Sequence, residues 1–321
     1  MMHPTRSAHR LFRRLPRLLL AAALLCGQAA QATDDSPTTM AERFNRLVDK
    51  RLQLPDTEVK RYGELALQML QATGIALDRP QYLVLVDRSP RVQALLLLWL
   101  EPPSRAVLIG ASPVSTGRGG EYDYFETPTG VFDHTTLNPD FRAEGTFNEH
   151  GIRGFGVQGM RVFDFGWQQG RRGWGNGGTS AMRLLLHATD PDLLEPKLGS
   201  VQSKGCVRIP ASLNRLLDQY GLLDADYEDA LAEGRHLWVL SPQRTPVADA
   251  GRYLIVVDTQ RAQRPAWSPS PFRKASPKRQ PASPGSAGPA QPKASQGSNT
   301  AAPSMAPARS AATASLACAN G

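Results

Sequence analysis

Two short segments of this 321-residue chain hold the groups best suited to nucleophilic chemistry. One is Leu185-Leu186-His187-Ala188-Thr189, an apolar run that closes on a histidine. The other is Ser203-Lys204-Gly205-Cys206-Val207-Arg208, a turn in which glycine precedes cysteine. A cysteine attacks as its thiolate, and its unperturbed pKa of about 8.5 leaves only a few per cent ionised near neutrality. An imidazolium at His187, helped by the cations Lys204 and Arg208, raises that fraction, and the ring can return a proton to a departing amine. Gly205 permits close backbone approach to a reacting carbonyl, and the N–H groups of Gly205 and Cys206 can meet the developing oxyanion. This set supports acyl transfer through a thioester on Cys206. Taken singly, each residue has a plainer reading: an inert buried thiol for the cysteine, a satisfied strand-end ring for the histidine.

The cysteine count sharpens the choice. Cys26 belongs to a leader and Cys318 to a tail, so the folded body is expected to keep Cys206 as a lone thiol. Exported proteins normally pair their cysteines, so an unpaired one needs a reason, and nucleophilic chemistry supplies it. His134 and His150 invite a zinc reading with Cys206, but their spacing matches no familiar ligand pattern. No metal and no cofactor are expected.

Export is read from the first 32 residues. Arg6, Arg10, Arg13, Arg14 and Arg17 precede an apolar run from Leu18 to Cys26 and the small-residue sequence Ala30-Gln31-Ala32. That is the pattern of a signal peptide cleaved after Ala32. The run is far short of the ~20 residues of a membrane span. The expected location is the periplasm or cell envelope. The net charge of +8 belongs to the ends: five arginines lie in the leader and seven basic residues follow Arg261, leaving 25 bases against 29 acids between them. A body of that balance argues against nucleic-acid binding, which needs a basic face on the folded part. The basic tail is suited to anionic envelope polymers.

Several elements must position the reactive pair. Phe44, Leu47, Val48 and Leu52 recur at helical spacing, Pro55 interrupts, and Asp56 is placed to cap a second helix carrying Val59, Tyr62, Leu65, Met69 and Leu70. These helices are expected as an N-terminal appendage whose stripe packs on the main domain. From Gln81 the period shortens: 82–86, 92–98, 106–109, 183–187, 237–240 and 253–257 read as strands, with a hairpin turn at Arg88-Ser89-Pro90-Arg91. Residues 117–178, crowded with glycine and with Phe147, Phe155, Phe163, Phe165 and Trp167, read as an ordered lid. From about Ala262 onward the chain is rich in Pro, Ala, Ser, Gly and Lys, and is expected to be disordered.

His187 followed by the Ser203–Arg208 segment resembles the signature of the L,D-transpeptidase (YkuD-type) catalytic domain, with fifteen residues between His187 and Ser203. Pro113-Val114-Ser115-Thr116-Gly117 and Thr127-Pro128-Thr129-Gly130-Val131-Phe132 resemble the strand and turn that open that family's catalytic half, so the likeness covers roughly residues 81–240. Ala188 departs from the glycine that often follows the histidine, Lys204 is unusual at its position, and no recognisable wall-binding module accompanies the domain. The resemblance implies a mainly β catalytic sandwich or barrel over residues 79–260 with a capping insertion. A short helical segment (33–78) would precede it and a basic tail (261–321) would follow. It implies Cys206 as acylated nucleophile, His187 as base and proton donor, and Gly205 in the oxyanion site. Ser203 would shape the turn, Lys204 would lie beside the thiol, and Arg208 would hold the loop or a substrate carboxylate. The implied substrate is a peptidoglycan tetrapeptide stem, from which D-Ala is released. The acceptor is an amine of another stem, a lipoprotein lysine or a D-amino acid; with water the same fold acts as a carboxypeptidase or a wall-protein amidase, and without chemistry it only binds the polymer.

Overall fold

The leucine-rich stretch after residue 93 suits either a helix or a strand by composition, and the packing decides it. In the computed structural model, which describes residues 36–268, Ala94–Glu101 (β2) pairs antiparallel with Gln81–Asp87 (β1) from Asp87↔Ala94 to Gln81↔Leu100. Both faces of β2 are buried. Leu95, Leu97 and Trp99 enter one apolar cluster, while Leu96, Leu98 and Leu100 enter another. A strand covered on both sides reads as a continuous apolar run, which is why its alternation is invisible in the sequence.

Seven further strands complete two mixed sheets: Arg105–Pro113 (β3), Gly130–Asp133 (β4), Phe141–Arg142 (β5), Arg161–Arg171 (β6), Thr179–Ala188 (β7), Val207–Ile209 (β8) and Tyr253–Val257 (β9). The first sheet runs β3-β2-β1-β9-β4, with β1 and β9 parallel; the second runs β5-β6-β7-β8, with β7 and β8 parallel. Their facing sides share one core, in which Tyr82, Val84, Leu97 and Leu254 meet Phe163, Leu184, Leu186 and Val207. The described residues form a β-rich sandwich. No closed barrel occurs among them, so the barrel alternative is dropped.

Helices Pro37–Leu47 (α1) and Asp56–Ala72 (α2) pack on the main domain through their apolar stripes. Met40 and Phe44 of α1 lie in the inter-sheet core, and the Phe44 ring occupies the space where a Cβ at Gly110 would sit, so β3 needs glycine there for α1 to dock. Tyr62, Ala66 and Leu70 of α2 cover the outer face of the first sheet. Asp56 is the first helical residue rather than the cap, which falls on Pro55. With Glu58 it places negative charge in the first turn, where the helix dipole favours it.

Three expectations about organisation are revised. Residues 117–178 are not one irregular lid, because they contain β4, β5 and β6, and β6 lies inside the second sheet. Residues 237–240 form a turn instead of a strand, with Leu240 N–H donating to the Leu237 carbonyl at 3.1 Å. Two helices, Ala211–Tyr220 (α3) and Ala225–Ala232 (α4), precede that turn.

The third revision concerns the tail. Residues 262–268 pack on the fold: the Trp267 ring meets Tyr62 edge-on at 6.1 Å, Ser268 Oγ donates to the Val92 carbonyl at 2.5 Å, and Arg264 reaches the carbonyls of Pro90 and Gly199. Arg261 pairs with Glu58 of α2. The remainder of the tail and the leader lie outside the described residues. Truncation after Arg261 is therefore expected to melt roughly 5 °C below truncation after Ser268 under reducing conditions, from the lost burial of a half-buried tryptophan. Equal melting temperatures for the two would refute the packing role of 262–268.

Candidate active site

Strand alternation fixes which side of the second sheet bears the reactive groups. Leu184 and Leu186 of β7 point into the inter-sheet core, so Leu185 and His187 point to the opposite face. On the neighbouring strand Val207 and Ile209 enter the core, which turns Cys206 and Arg208 outward with them. The parallel register sets His187 beside Arg208 and Leu186 beside Val207. Cys206 belongs to a small cluster with Val162 and Leu185, against which Phe141 and Phe155 pack. The Phe155 ring also meets the His187 imidazole edge-on, with centroids 4.8 Å apart. Cysteine and histidine thus share one face and one aromatic neighbour.

Two sequence motifs converge on the cysteine turn. The 113–117 segment runs against 203–208, with Ser115 and Arg208 exchanging backbone hydrogen bonds at 3.0 and 2.9 Å and Ser203 N–H donating to the Thr116 carbonyl at 3.0 Å. Thr127 ties them together: its Oγ1 accepts from Gly117 N–H at 2.8 Å and donates to the Gly205 carbonyl at 2.6 Å. Within the turn, Ser203 Oγ donates to the Cys206 carbonyl at 2.5 Å and accepts from Gly205 N–H at 3.1 Å. Gly205 has φ +132°, and a Cβ there would lie 2.7 Å from Met182 Cε and 3.2 Å from Phe125 Cβ. Glycine at 205 is thus required by backbone and by space alike. Its N–H, expected at an oxyanion, is here given to Ser203.

His187 is fully buried. Its Nδ1 lies 2.6 Å from the Ala188 carbonyl, which can only accept, so the Nδ1 carries the proton and Nε2 presents a lone pair. That Nε2 has no hydrogen-bond partner among the described residues. Burial first, and then the Arg208 guanidinium, push the His187 pKa down to about 3, against the opposing pull of the Ala188 carbonyl. The imidazolium anticipated from sequence is therefore replaced by a neutral ring at neutral pH. Arg208 is itself 1% exposed, with its pKa lowered to about 10 by burial, and its Nη1 donates to the Gln202 carbonyl at 3.3 Å. It stays charged at neutral pH. Lys204 pairs with Asp123 at 3.5 Å and lies over the Tyr124 ring.

Cys206 Sγ lies 3.6 Å from the Arg183 carbonyl oxygen. The sulfur is disulfide-bonded, and both other cysteines of the chain lie outside the described residues. The expectation of a lone thiol is corrected accordingly: the sulfur marks the position of a nucleophile that exists in the reduced form. Beside this site a cleft of about 440 Å³ opens, lined by Phe141, Glu144, Phe147, Asn148, Ile152 and Phe155. The loop bearing it is tied down where the Asp190 carboxylate accepts from Arg153 N–H at 3.0 Å. Thr127, Met182 and Asp190 had no assigned role in the sequence reading. Thr127 opens the Thr127–Phe132 motif, whereas nothing local marks the other two.

The histidines of the zinc reading are apart from this site. His134 is buried between the Leu223 carbonyl and Asp140; burial pulls its pKa down, but the charge and hydrogen bond of Asp140, with the charge of Asp224, leave it raised. Asp140 in turn binds Arg161, which also grips Asp224 at 2.7 and 2.8 Å. His150 is exposed beside Glu149. No group of three metal-ligating side chains occurs among the described residues.

No protein-family model matches the chain, and no curated protein matches its sequence. Among solved structures, the chain is similar to a point mutant of the helical cell shape determining protein Pgp2 from Campylobacter jejuni, at 11% identity and a TM-score of 0.27. The match covers 73% of this chain and 58% of that one, so the chain spans under two thirds of that protein's length. A likeness of that degree carries no functional argument.

Proposed function

We propose that the chain is an exported cysteine acyltransferase of the L,D-transpeptidase type. It would act on peptidoglycan tetrapeptide stems and work in the periplasm or cell envelope. The observation that carries this reading is the placement of Cys206 and His187 on one sheet face, with the imidazole Nε2 lone pair lacking a partner among the described residues.

In the reduced enzyme, His187 Nε2 takes the Cys206 proton as sulfur attacks the carbonyl carbon of the scissile amide. The C–N bond breaks as the ring returns that proton to the departing amine of D-Ala, leaving a thioester on Cys206. An acceptor amine then loses its proton to His187 as its nitrogen attacks the thioester carbonyl; the C–S bond breaks and the sulfur is reprotonated. Arg208 acts through charge: its guanidinium keeps the ring neutral and favours negative sulfur. Ser203 and Thr127 hold the turn in which the nucleophile sits. The acceptor is the amine of a second stem, a lipoprotein lysine or a D-amino acid, and the basic tail would contact anionic envelope polymers.

The test is mass spectrometry of purified tetrapeptide muropeptides incubated with reduced enzyme, with and without added D-amino acid. Crosslinked dimers or amino-acid exchange are expected. Tripeptides alone would replace transfer by hydrolysis, and unaltered tetrapeptides with every acceptor would refute the acyl-transfer reading.

A further inference from the structure

Beyond the catalytic turn, residues 118–126 and 171–178 lie together as a backbone-bonded plate. Gly120 N–H donates to the Gly173 carbonyl at 2.9 Å, Gly173 N–H to the Tyr124 carbonyl at 2.7 Å, and Glu126 N–H to the Arg171 carbonyl at 2.9 Å. The plate is continuous with the cysteine turn, because Phe125 N–H donates to the Lys204 carbonyl at 3.2 Å and the Phe125 side chain fills the space beside Gly205. Trp174 stands edge-on to Phe125 at 4.8 Å, and Tyr122 lies 5.5 Å from Trp174 while remaining 82% exposed.

We propose that this plate is a saccharide-binding subsite, with Tyr122 and Trp174 as its stacking surface. A hollow of about 350 Å³ beside Trp174, bordered by Glu126, Arg171 and Arg172, is of a size for a sugar ring. A pyranose presents a flat C–H face that buries well on an aromatic ring, and vicinal hydroxyls around its rim that need donors and acceptors together. The plate supplies both. Arg171 lies 3.4 Å from Glu126, and Arg172 donates to Asn176 Oδ1 at 2.9 Å, so guanidinium donors and a carboxylate acceptor border the hollow beside Trp174. Glycines at 120 and 175 have open space where a Cβ would project, and the Arg172 guanidinium lies over the Trp174 ring at 5.8 Å. Three arginines (Arg118, Arg171 and Arg172) against three acids (Glu121, Asp123 and Glu126) leave the plate without the positive charge that a polyanion held by its phosphates needs.

The choice of sugar rests on the acyl-transfer reading: it is the amino-sugar glycan strand to which a stem peptide is attached. A site there would hold the strand while the stem enters beside Cys206. The sequence Gly173-Trp174-Gly175-Asn176-Gly177-Gly178 follows from this use, since glycines expose the ring and carry the turn.

The test is calorimetric titration of the full reduced chain with glycan strands stripped of their peptides, run beside turnover of a soluble, sugar-free tetrapeptide stem. Tyr122→Ala, which removes an exposed side chain, should weaken glycan binding roughly tenfold, the size of one stacked ring's contribution. Tyr122→Phe should retain binding, and turnover of the sugar-free stem by both variants should stay within about twofold of wild type. Absence of binding by the wild type, or equal binding by Tyr122→Ala, would overturn the subsite. A parallel loss of turnover on the sugar-free stem would also overturn it, since the ring would then serve the peptide. Tyr122-dependent glycan binding by a wild type that processes no stem would sustain the subsite while sinking the acyl-transfer reading.

Discussion

Cys206→Ala is expected to lower acyl transfer from a tetrapeptide stem by at least about a thousandfold, to the level left by binding and backbone polarisation alone. The reason is bond-making: no other side chain in the cluster of Val162, Leu185, Phe141 and Phe155 can form a covalent acyl intermediate. The fold should persist, because removing one sulfur from a small satellite cluster costs about 1 kcal/mol while the inter-sheet core is untouched. Single-turnover assays with intact-mass detection read both points: the wild type accumulates an acyl adduct and the variant none. Unchanged circular dichroism with turnover within tenfold of wild type would remove Cys206 from the mechanism. The measurement belongs under reductant, since the sulfur is disulfide-bonded as it stands.

The second large effect concerns pH. His187→Gln should cost about two to four orders of magnitude, the usual range for loss of a general base. More diagnostic is the acid limb of kcat/KM in the wild type. Because burial and then Arg208 hold the His187 pKa down to about 3, the ring remains an unprotonated base through pH 5, and the limb should fall well below the ordinary histidine value of about 6.5. Arg208→Gln removes the second of those causes and should move the limb upward, whereas Arg208→Lys keeps the charge and should leave it lower. A wild-type limb at about 6.5, unmoved by Arg208→Gln, would refute the electrostatic role given to the guanidinium. Stability carries the same sign. The folded pKa lies below the unfolded one, so the unfolded chain takes up the proton first, and stability held above about pH 6.5 is lost as pH falls toward 3.

The buried network around Arg161 limits how these measurements should be read. His134, Asp140, Asp224 and Tyr227 close around that guanidinium almost without exposure, and Asn214 of α3 donates to the Arg161 carbonyl at 2.8 Å. Breaking one partner in such a set leaves a charge buried without compensation, a cost of several kcal/mol. Variants there are expected to lose activity through the fold, so the pH study relies on residues at the reactive face.

Much of the first sheet was legible because its signals are local. The turn Arg88-Ser89-Pro90-Arg91 between two apolar runs places a hairpin, and residues 253–257 form β9. The second sheet was harder to see. β6 contains Asp164, Gly166, Gln168 and Gly170, and those residues look like loop until Gly166, at φ +76°, is recognised as the irregular point between Asp164 and Trp167. Asp164 gains its place from Arg183, nineteen residues away on β7, with contacts of 2.8 to 2.9 Å. For α3 the signals were present and overlooked: Pro210 before it, Leu213, Leu216 and Leu217 at helical spacing, and Gly221 in the left-handed conformation after it.

The amino-acid order by itself determined which atoms are capable of chemistry, since a thiol, an imidazole and a glycine-bearing turn are properties of residue type and short spacing. It determined the hairpin and the two N-terminal helices for the same reason: their signals lie within a few residues. Only the tertiary structure decided the protonation state of His187, because burial and the neighbouring Arg208 come from another strand. It alone decided that Gly205 supplies space for Met182 and Phe125 while giving its N–H to Ser203. Electrostatics and packing act through space, and residues distant in sequence become neighbours only when β7 and β8 lie side by side.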